Sequence, residues 1–214
     1  MFTRFSQFTY GQLHIPNIDT EVINNKTALS IHIQKCEEEG LRLAMGDCLY
    51  DEFMSNLEKD ENGYYKLKSD ADEKWGWLLN GHSYDAPSSN CNCGCGCGSG
   101  KCSKHVWGGI ISKVATVESV DVIESILAPY VYFNWNMNYR TIATGVGEAK
   151  GIANNTVIEP SRNKRVDAWN EYIQKVSFGF PNSKVSLHQF LSEHKELFPD
   201  FQKVCFNPIT YWDV

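Results

Sequence analysis

A glycine- and cysteine-rich stretch, SSNCNCGCGCGSGKCSKH at residues 88–105, constrains the fold more than any other feature of the chain. Five of the eight cysteines lie there, within the twelve residues from Cys91 to Cys102. Extended segments flank it, HSYDAPSS before and HVWGGIISKVATV after, and the second is rich in β-branched residues. Two extended segments around a glycine-rich middle predict an inserted β-hairpin with its tip near residues 88–104.

The spacing of these cysteines leaves two interpretations open. In a strand the alternating thiols would share one face, whereas in a turn-rich loop the glycines would let the thiolates converge. Structural zinc sites usually draw four ligands from paired C-x₂₋₄-C steps on two separate segments, whereas the cysteines here are spaced mostly by a single Gly or Asn. We expect no cofactor if the stretch is a contact tip, and zinc if it holds a metal. The candidate ligands are Cys91, Cys93, Cys95, Cys97 and Cys102, with His82 and His105 nearby.

Composition argues against several classes of protein. The net charge of −6 argues against a DNA-binding protein, because such proteins are usually basic. No apolar run could span a membrane, and the first residues lack the apolar core of a signal peptide. We therefore expect a soluble protein of a reducing cytoplasm or of a particle assembled there, without a disulfide scaffold. The three isolated cysteines, Cys36, Cys48 and Cys205, are expected to be small core residues.

Apolar periodicity predicts a mainly α protein of about five helices. The first is expected from Thr27 to Met45, with Glu37, Glu38 and Glu39 on its solvated side and Gly46 at its end. The next helix is capped by Asp47, and a short third covers residues 71–81. A long helix is expected from Ser119 to Tyr139, with Pro129 inside it. Pro160 opens another helix, stopped at Gly179, and Ser186 with Gln189 forms a capping box for the last.

The remaining segments are predicted to be arms. Residues 141–158 show no helical period and contain several glycines, which indicates a loop arm. Both ends of the chain carry clustered aromatic residues, which suit extended arms that anchor interfaces. The predicted division is an N-terminal arm (1–26), a helical domain (27–178) with a hairpin insertion (82–117), and a C-terminal helix with a docking tail (179–214).

The sequence contains no recognisable catalytic signature, so we do not expect an enzyme. TGVGEAKG at residues 144–151 departs from the phosphate-binding pattern G-x-x-x-x-G-K-[ST]. The six histidines are scattered, and none belongs to a metalloprotease motif. A catalytic cysteine would need a lowered pKa set by a fixed neighbour, whereas five thiols in a glycine-rich loop present no single nucleophile.

The order of the segments carries a resemblance to a known family. A helical hairpin, IHIQKCEEEGLRLAMGDCLYDEFMSNL, precedes LLNGHSY and WGGI. The aromatic segment LAPYVYFNWNMNY, the arm TIATGVGEAKGIANNTV and the helix PSRNKRVDAWNEYIQKV follow. This order resembles the head–tail connector (adaptor, or head-completion) proteins of tailed bacteriophages, in particular those of crAss-like and other Bacteroides phages. The resemblance covers residues 27–178. The cysteine insertion departs from it, because a plainer hairpin stands there in the family.

The resemblance implies a helical connector-type domain that assembles as a ring, typically a dodecamer, beneath the portal protein. Such a ring extends the DNA channel and docks neck or tail proteins, so it resides in the virion neck after assembly in the host cytoplasm. Genomic DNA would pass through without sequence-specific binding, and no membrane is involved. The residues we expect at its interfaces are Phe2, Phe5, Phe8, Gly145, Gly147, Phe206, Tyr211 and Trp212.

Two alternatives remain beside the structural virion protein. One is a metal- or thiol-binding protein built on the cysteine-rich insertion, such as a metal carrier or redox module. The other is a bacterial helical adaptor unrelated to phage. A carrier would stay monomeric and hold stoichiometric metal, whereas a connector would form rings or bind the portal.

Overall fold

The computed structural model describes residues 1–9, 11–15, 18, 23–85, 104–117, 120–138, 142–144, 147–149, 162–179 and 184–210. Within these ranges six α-helices form the body of the protein. They are α1 (Ile23–Met45), α2 (Asp47–Ser55), α3 (Glu73–Asn80), α4 (Ala128–Asn138), α5 (Arg162–Ile173) and α6 (Leu187–Glu193). A 3₁₀ turn at Phe5–Phe8 precedes α1, and a π-helical turn at Gln174–Phe178 continues α5.

Nine short strands among the described residues form four small sheets around the helices. They are β1 (Leu57–Lys59), β2 (Tyr65–Leu67), β3 (His82–Asp85), β4 (Lys104–Trp107), β5 (Ile111–Val117), β6 (Val120–Ser125), β7 (Ile142–Thr144), β8 (Gly147–Ala149) and β9 (Lys184–Val185). Antiparallel pairs join β1 to β2, β5 to β6, and β7 to β8. The three-stranded sheet has the order β3–β4–β9, with β4 and β9 parallel. The predicted mainly α class therefore fits only roughly, because the sheets make the fold a helix-rich mixture of α and β.

Helix α1 lies at the centre of the packing and contacts α2, α4 and α6. Its buried Leu29 and Ile33 are four residues apart, as the core-facing stripe of a helix requires. Gly40 permits a close approach, since a Cβ at that position would lie 3.1 Å from the ring of Tyr130 in α4. The hydroxyl of Tyr172 in α5 also donates a hydrogen bond to the Gly40 backbone oxygen at 2.8 Å. Because glycine has no side chain, α4 and α5 can both approach α1 closely at position 40.

Glycines end the helices where the sequence predicts. Gly46 follows α1 with a φ of 85°, a left-handed conformation that favours glycine. Gly81 follows α3 and Gly179 follows the π-helical turn, both also with positive φ. Asp47 is the first residue of α2 rather than its N-cap, which is Gly46. In the part of the chain that is described, side chains cap α3 through Asp72 and α6 through Ser186.

The predicted helix over residues 119–139 is wrong in its first half. Strand β6 occupies Val120–Ser125, and α4 begins only at Ala128. The β-branched residues of this half pair with β5 in a two-stranded ribbon, which their propensity favours. Pro129 consequently lies in the first turn of α4, where its lack of an N–H removes no intrahelical hydrogen bond. Because β6 pairs with β5, the predicted hairpin insertion over residues 82–117 spans strands of two different sheets.

The N-terminal segment packs on the core rather than forming the predicted extended arm. Phe2 and Phe8 are 2% and 0% exposed, and Phe2 contacts Tyr65 with ring centroids 4.6 Å apart. Glu37, predicted on the solvated side of α1, is buried beneath this segment. Its Oε1 accepts the backbone N–H groups of Phe2 and Thr3 at 2.8 and 2.5 Å. A buried carboxylate is tolerated there because these hydrogen bonds replace water.

Two of the three isolated cysteines also depart from the prediction. Cys36 is buried in α1 as expected, but Cys48 and Cys205 are exposed. Cys48 follows the helical period of α2 onto its solvent side, because the neighbouring Leu49 and Phe53 turn toward the core. Cys205 lies in the tail after Phe201, where most side chains are exposed.

The predicted loop arm over residues 141–158 contains regular structure in the part that is described. Strands β7 and β8 pair with Thr144 opposite Gly147. The rest of the predicted arm lies outside the described residues. Two short strands linked by two residues form a hairpin, which an analysis of helical period alone does not detect.

Candidate functional site at the base of the cysteine-rich stretch

Strands β3 and β4 flank the cysteine-rich stretch and pair with each other. Asp85, the last residue of β3, lies opposite Lys104, the first residue of β4. The antiparallel pairing therefore brings the two ends of the intervening segment together. The five candidate ligands, Cys91, Cys93, Cys95, Cys97 and Cys102, lie between these strands and outside the described residues.

One face of the β3–β4 pair carries polar and aromatic side chains that pack against α6. Tyr84 lies directly opposite His105, and His82 lies opposite Trp107. Alternate residues of a strand share a face, so these four side chains point to the same side. We call the set formed by His82, Tyr84, His105, Glu193 and His194 the histidine cluster.

Glu193 at the end of α6 is the hydrogen-bond centre of the histidine cluster. Its Oε2 accepts the Tyr84 hydroxyl at 2.5 Å and the Nδ1–H of His105 at 2.9 Å. Its Oε1 accepts the side-chain amide of Gln189 at 2.9 Å, one helical turn earlier. These three hydrogen bonds fix the orientation of the Glu193 carboxylate. Glu193 in turn fixes the ring of His105.

Electrostatics keep this carboxylate ionised. Burial alone would raise the pKa of Glu193, but hydrogen bonds from Tyr84, Gln189 and His105 outweigh it and lower the pKa. Burial, together with the hydrogen bond to Glu193, raises the pKa of the Tyr84 hydroxyl. The tyrosine therefore stays protonated as a donor, and the glutamate stays negative as an acceptor.

Aromatic rings enclose the other two histidines of the cluster. The His82 ring stacks on Trp77 with centroids 4.2 Å apart, and burial followed by the nearby His194 lowers its pKa. The His194 ring meets Tyr84 edge-on at 4.4 Å. The Nδ1 of His194 lies 3.0 Å from the backbone oxygen of Phe190, to which it can donate. These contacts hold both rings by packing, with hydrogen bonding added for His194.

Among the described residues, His105 uses one of its two ring nitrogens for hydrogen bonding. Among the described residues, no serine, threonine or cysteine side chain hydrogen-bonds to His105, so no nucleophile–base pair is formed there. His105 has its Nδ1 engaged by a carboxylate, and its Nε2 has no hydrogen-bond partner in that part of the chain. This is how proteins orient a histidine that binds a metal ion through the second nitrogen.

The remaining buried histidines are structural. The Nε2 of His188 lies 2.8 Å from the Ala44 backbone oxygen, and its Nδ1 lies 3.2 Å from the Ser177 hydroxyl. The Nε2 of His32 lies 3.3 Å from the backbone oxygen of Val131. Burial lowers the pKa of both rings. They link α1 to α4 and to α6.

The predicted interface residues have different environments. Phe2 and Phe8 belong to the core of the chain itself, so their rings have no apolar surface left for a partner. Phe5 and Phe206 are half-buried and pack against that core. Gly147 begins β8. Three further candidates, Gly145, Tyr211 and Trp212, lie outside the described residues.

Sequence patterns alone do not identify the centre of the histidine cluster. His105 and His82 were candidates because they flank the cysteines, but Glu193 and Tyr84 were not. The alternation of His82 and Tyr84 along a strand was one available signal. The spacing of Gln189 and Glu193, four residues apart on a helix, was another. Neither signal shows that β4 packs against α6, which only the tertiary structure establishes.

Other parts of the described chain offer weaker candidates. Among the ranges given above, no three His, Cys, Asp or Glu side chains converge to hold a metal ion. An open cleft of about 210 Å³ lies beside α5, and there Lys175 pairs with Glu171 at 2.7 Å. No helix of the described chain has the length and apolar character needed to cross a membrane. Comparison with known protein families, curated proteins and solved structures finds no match.

Proposed function

We propose that the chain is a structural virion protein, a subunit of the ring between the portal and the tail of a tailed bacteriophage. The segments that carry the resemblance fold in a compatible way. The helical hairpin corresponds to α1 and α2, the aromatic segment to α4, and the closing helix to α5. The connector-type domain, the cysteine-rich hairpin tip and the docking tail are parts of this proposal.

The observation that carries the proposal is the β5–β6 ribbon. Its two strands contact each other far more than they contact the rest of the subunit. A two-stranded ribbon is only marginally stable in water unless it packs on something else. Val114 occupies the irregular position between the paired residues Lys113 and Ala115, and it is 56% exposed. We assign the ribbon as an arm that packs against a neighbouring copy.

Exposed apolar side chains on other elements support contacts on more than one face. Ile31 on α1 is 65% exposed, Met137 on α4 is 51% exposed, and Phe178 after α5 is 62% exposed. A closed ring needs two different surfaces on each subunit, since each copy contacts its neighbours head to tail. Such residues on three separate elements are compatible with that requirement.

Charge fits the proposed environment. The net charge of −6 would weaken attachment of passing DNA, because like charges repel. The partners in this proposal are further copies of the chain, the portal protein and neighbouring neck or tail proteins. DNA would pass through the ring without sequence-specific contacts, and the assembled protein would lie in the virion neck.

A charge placed in the ribbon tests the proposal. Val114→Asp should prevent assembly of the purified protein, because a carboxylate would be buried against the neighbour. Ser69→Asp adds the same charge in an exposed turn outside the ribbon and serves as the matched control. Mass photometry should show rings for the control and single subunits for Val114→Asp. Equal assembly by both variants would exclude the ribbon as a contact.

A second candidate function is metal or thiolate binding by the cysteine-rich stretch. The observation that favours it is the histidine cluster at the point where β3 and β4 bring the ends of the stretch together. Elemental analysis of the purified protein tests it, alongside a variant in which Cys91, Cys93, Cys95, Cys97 and Cys102 become serine. Stoichiometric zinc that is lost in the variant supports this candidate, and no metal in either protein rejects it.

A further inference from the structure

We propose that a small cavity between α1, α2 and β2 binds an alkylammonium group, that is, a protonated primary amine on an aliphatic stem. The cavity has a volume of about 110 Å³ and is partly enclosed. The residues that line it are Phe2, Gln34, Glu37, Glu38, Tyr50 and Tyr65. The inference goes beyond the proposed ring and does not depend on it.

The first argument is the buried carboxylate of Glu37, which is only 2% exposed. Both of its hydrogen bonds, from the backbone N–H groups of Phe2 and Thr3, end on Oε1. No cation of the described residues forms an ion pair with it, and the amino group of Met1 donates to the Gly63 oxygen at 2.7 Å instead. A buried charge is costly unless it is paired, so a cation in the cavity would supply the missing partner to Oε2.

The second argument is the chemistry of the tyrosine walls. Tyr50 is 8% exposed, and its hydroxyl makes no hydrogen bond within the part of the chain that the structure describes. The rings of both tyrosines already attract cations of the chain. The Arg42 guanidinium carbon lies 4.3 Å from the Tyr50 ring centroid, and the Lys59 Nζ lies 5.4 Å from that of Tyr65. Aromatic faces and hydroxyl oxygens are both favourable surroundings for an ammonium group.

The third argument is the balance of charge. The lining contains two carboxylates, Glu37 and Glu38, and no lysine, arginine or histidine. Arg42 lies nearby, but it pairs with Glu38, Asp47 and Asp51 at 3.1, 3.0 and 2.9 Å, which offsets its charge. A positively charged ligand is therefore complementary to the cavity, whereas an anion would be repelled.

Shape and acceptor positions select a primary amine among cations. Glu37 and Tyr50 are the buried part of the lining, whereas Gln34 and Glu38 are exposed and form its solvent side. The three N–H donors of a primary ammonium match the Glu37 carboxylate, the Tyr50 hydroxyl and the Gln34 amide oxygen. A volume of about 110 Å³ exceeds the roughly 30 Å³ share of one water, which leaves room for the first carbons of a stem.

Isothermal titration calorimetry on the full chain tests the inference, with n-butylammonium chloride as the probe. At pH 8 the Glu37 carboxylate is ionised, because burial raises its pKa only to about 7. We expect saturable binding of one n-butylammonium per chain, at least about tenfold tighter than that of n-butanol, which has the same stem without the charge. Sodium chloride and magnesium chloride should give heats of dilution only.

A blocked lysine, N-acetyl-lysine N-methylamide, distinguishes the source of the amine. Binding as tight as that of n-butylammonium supports the proposal with a lysine side chain of a polypeptide as the ligand. Binding of n-butylammonium alone supports it with a small free amine, since the blocked backbone would then be too large for the entrance.

Substitutions locate the binding within the chain. Glu37→Gln should weaken n-butylammonium binding at least about tenfold, and Tyr50→Phe should weaken it about three- to tenfold. Glu39→Gln removes a charge from an exposed position of the same helix outside the lining, and it should leave the affinity unchanged. Far-UV circular dichroism confirms that each variant is folded.

Four results would overturn the inference. Absence of saturable n-butylammonium binding would mean that the cavity holds only water. Equal affinities for n-butanol and n-butylammonium would make the site merely apolar, and comparable binding of sodium or magnesium would make it a site for inorganic cations. Equal weakening by Glu37→Gln and Glu39→Gln would reduce the effect to general surface charge. Ring assembly is measured separately and is not affected by any of these outcomes.

Discussion

Glu37 in the middle of α1 accepts a hydrogen bond from the backbone N–H of Phe2 at 2.8 Å, although 35 residues separate the two. The same oxygen accepts the N–H of Thr3. One buried carboxylate therefore holds the start of the chain against the first long helix. The aromatic ring of Phe2 can then pack on Phe53 and Tyr65, which closes this end of the core.

This contact predicts a specific dependence of stability on pH. Burial raises the pKa of Glu37 to about 7, above its ordinary value of 4.5. Because the folded pKa is the higher one, its contribution to the free energy of unfolding is complete below 4.5 and is lost as the pH rises through about 7. The loss should be on the order of 3 kcal/mol.

Glu37→Gln removes this titration and leaves the side-chain shape. The difference in unfolding free energy between the unsubstituted protein and Glu37→Gln should fall between about pH 5 and about pH 8, as measured by urea denaturation. The buried histidines His32 and His188 have lowered pKa values, so their contribution to the free energy of unfolding changes with pH in the opposite direction. Both proteins contain these histidines, so their contribution cancels in the difference. A difference that stays constant across this range would show that Glu37 does not titrate there.

Gly109 faces the end of α3 so closely that no side chain fits. A Cβ at this position would lie 2.5 Å from the carbonyl carbon of Asn80, and its φ of 89° is unfavourable for other residues. Gly109→Ala should therefore destabilise the protein by about 3 kcal/mol or more.

The neighbouring Gly108 provides the control for this substitution. A Cβ added at Gly108 would meet no atom within 4 Å, and the φ of this residue is not positive. Gly108→Ala should change the midpoint of thermal unfolding little. If the two alanine variants unfold at the same temperature, Gly109 does not pack closely against the end of α3.

Asn170 of α5 is expected to hold the C-terminal tail in place. Its Oδ1 accepts the N–H of Ile209 at 3.0 Å, and its Nδ2 donates to the Ile209 oxygen at 2.9 Å. Trp169 adds a bond from its Nε1 to the Asn207 oxygen at 3.1 Å. Asn170→Ala should release the tail locally, at a cost of roughly 1–2 kcal/mol.

Amide hydrogen exchange measures this release directly. Exchange of residues 206–210 should accelerate in Asn170→Ala, while the exchange of α1 and α4 stays unchanged. Asn163→Ala, at an exposed position of the same helix, should leave the tail protected. Equal protection of the tail in both variants would mean that packing of Phe206 alone holds it.

The sequence predicted the elements whose signals are local. Gly46, Gly81 and Gly179 end helices because their backbone conformations require glycine, and Ser186 caps α6 through a hydrogen bond from Gln189. Only half of the predicted capping box forms, since the Gln189 side chain binds Glu193 instead. The pairing of Gln189 with Glu193 is local, one helical turn apart. The bonds of Glu193 to Tyr84 and His105 instead depend on the packing of β3 and β4 against α6, which local sequence does not encode.

The larger errors arose where tertiary contacts override local pattern. A run of Glu37, Glu38 and Glu39 indicates a solvated face, yet the first of the three is buried because backbone N–H groups cover it. The apolar residues over 119–139 recur at helical spacing, and no Gly or polar turn in the sequence separates β6 from α4. The strand and the helix were therefore predicted as one helix. At the candidate site, His105 could be identified from its position beside the cysteines, whereas Glu193 lies 88 residues away.

The mass of the purified protein in solution tests the central claim, that this chain is a ring-forming structural subunit. Mass photometry over a range of concentrations should show one closed species whose mass is an integer multiple of 24.3 kDa, and negative-stain images of it should show rings. A protein that stays at the mass of one chain at every concentration, and does not bind to portal rings, would contradict the account.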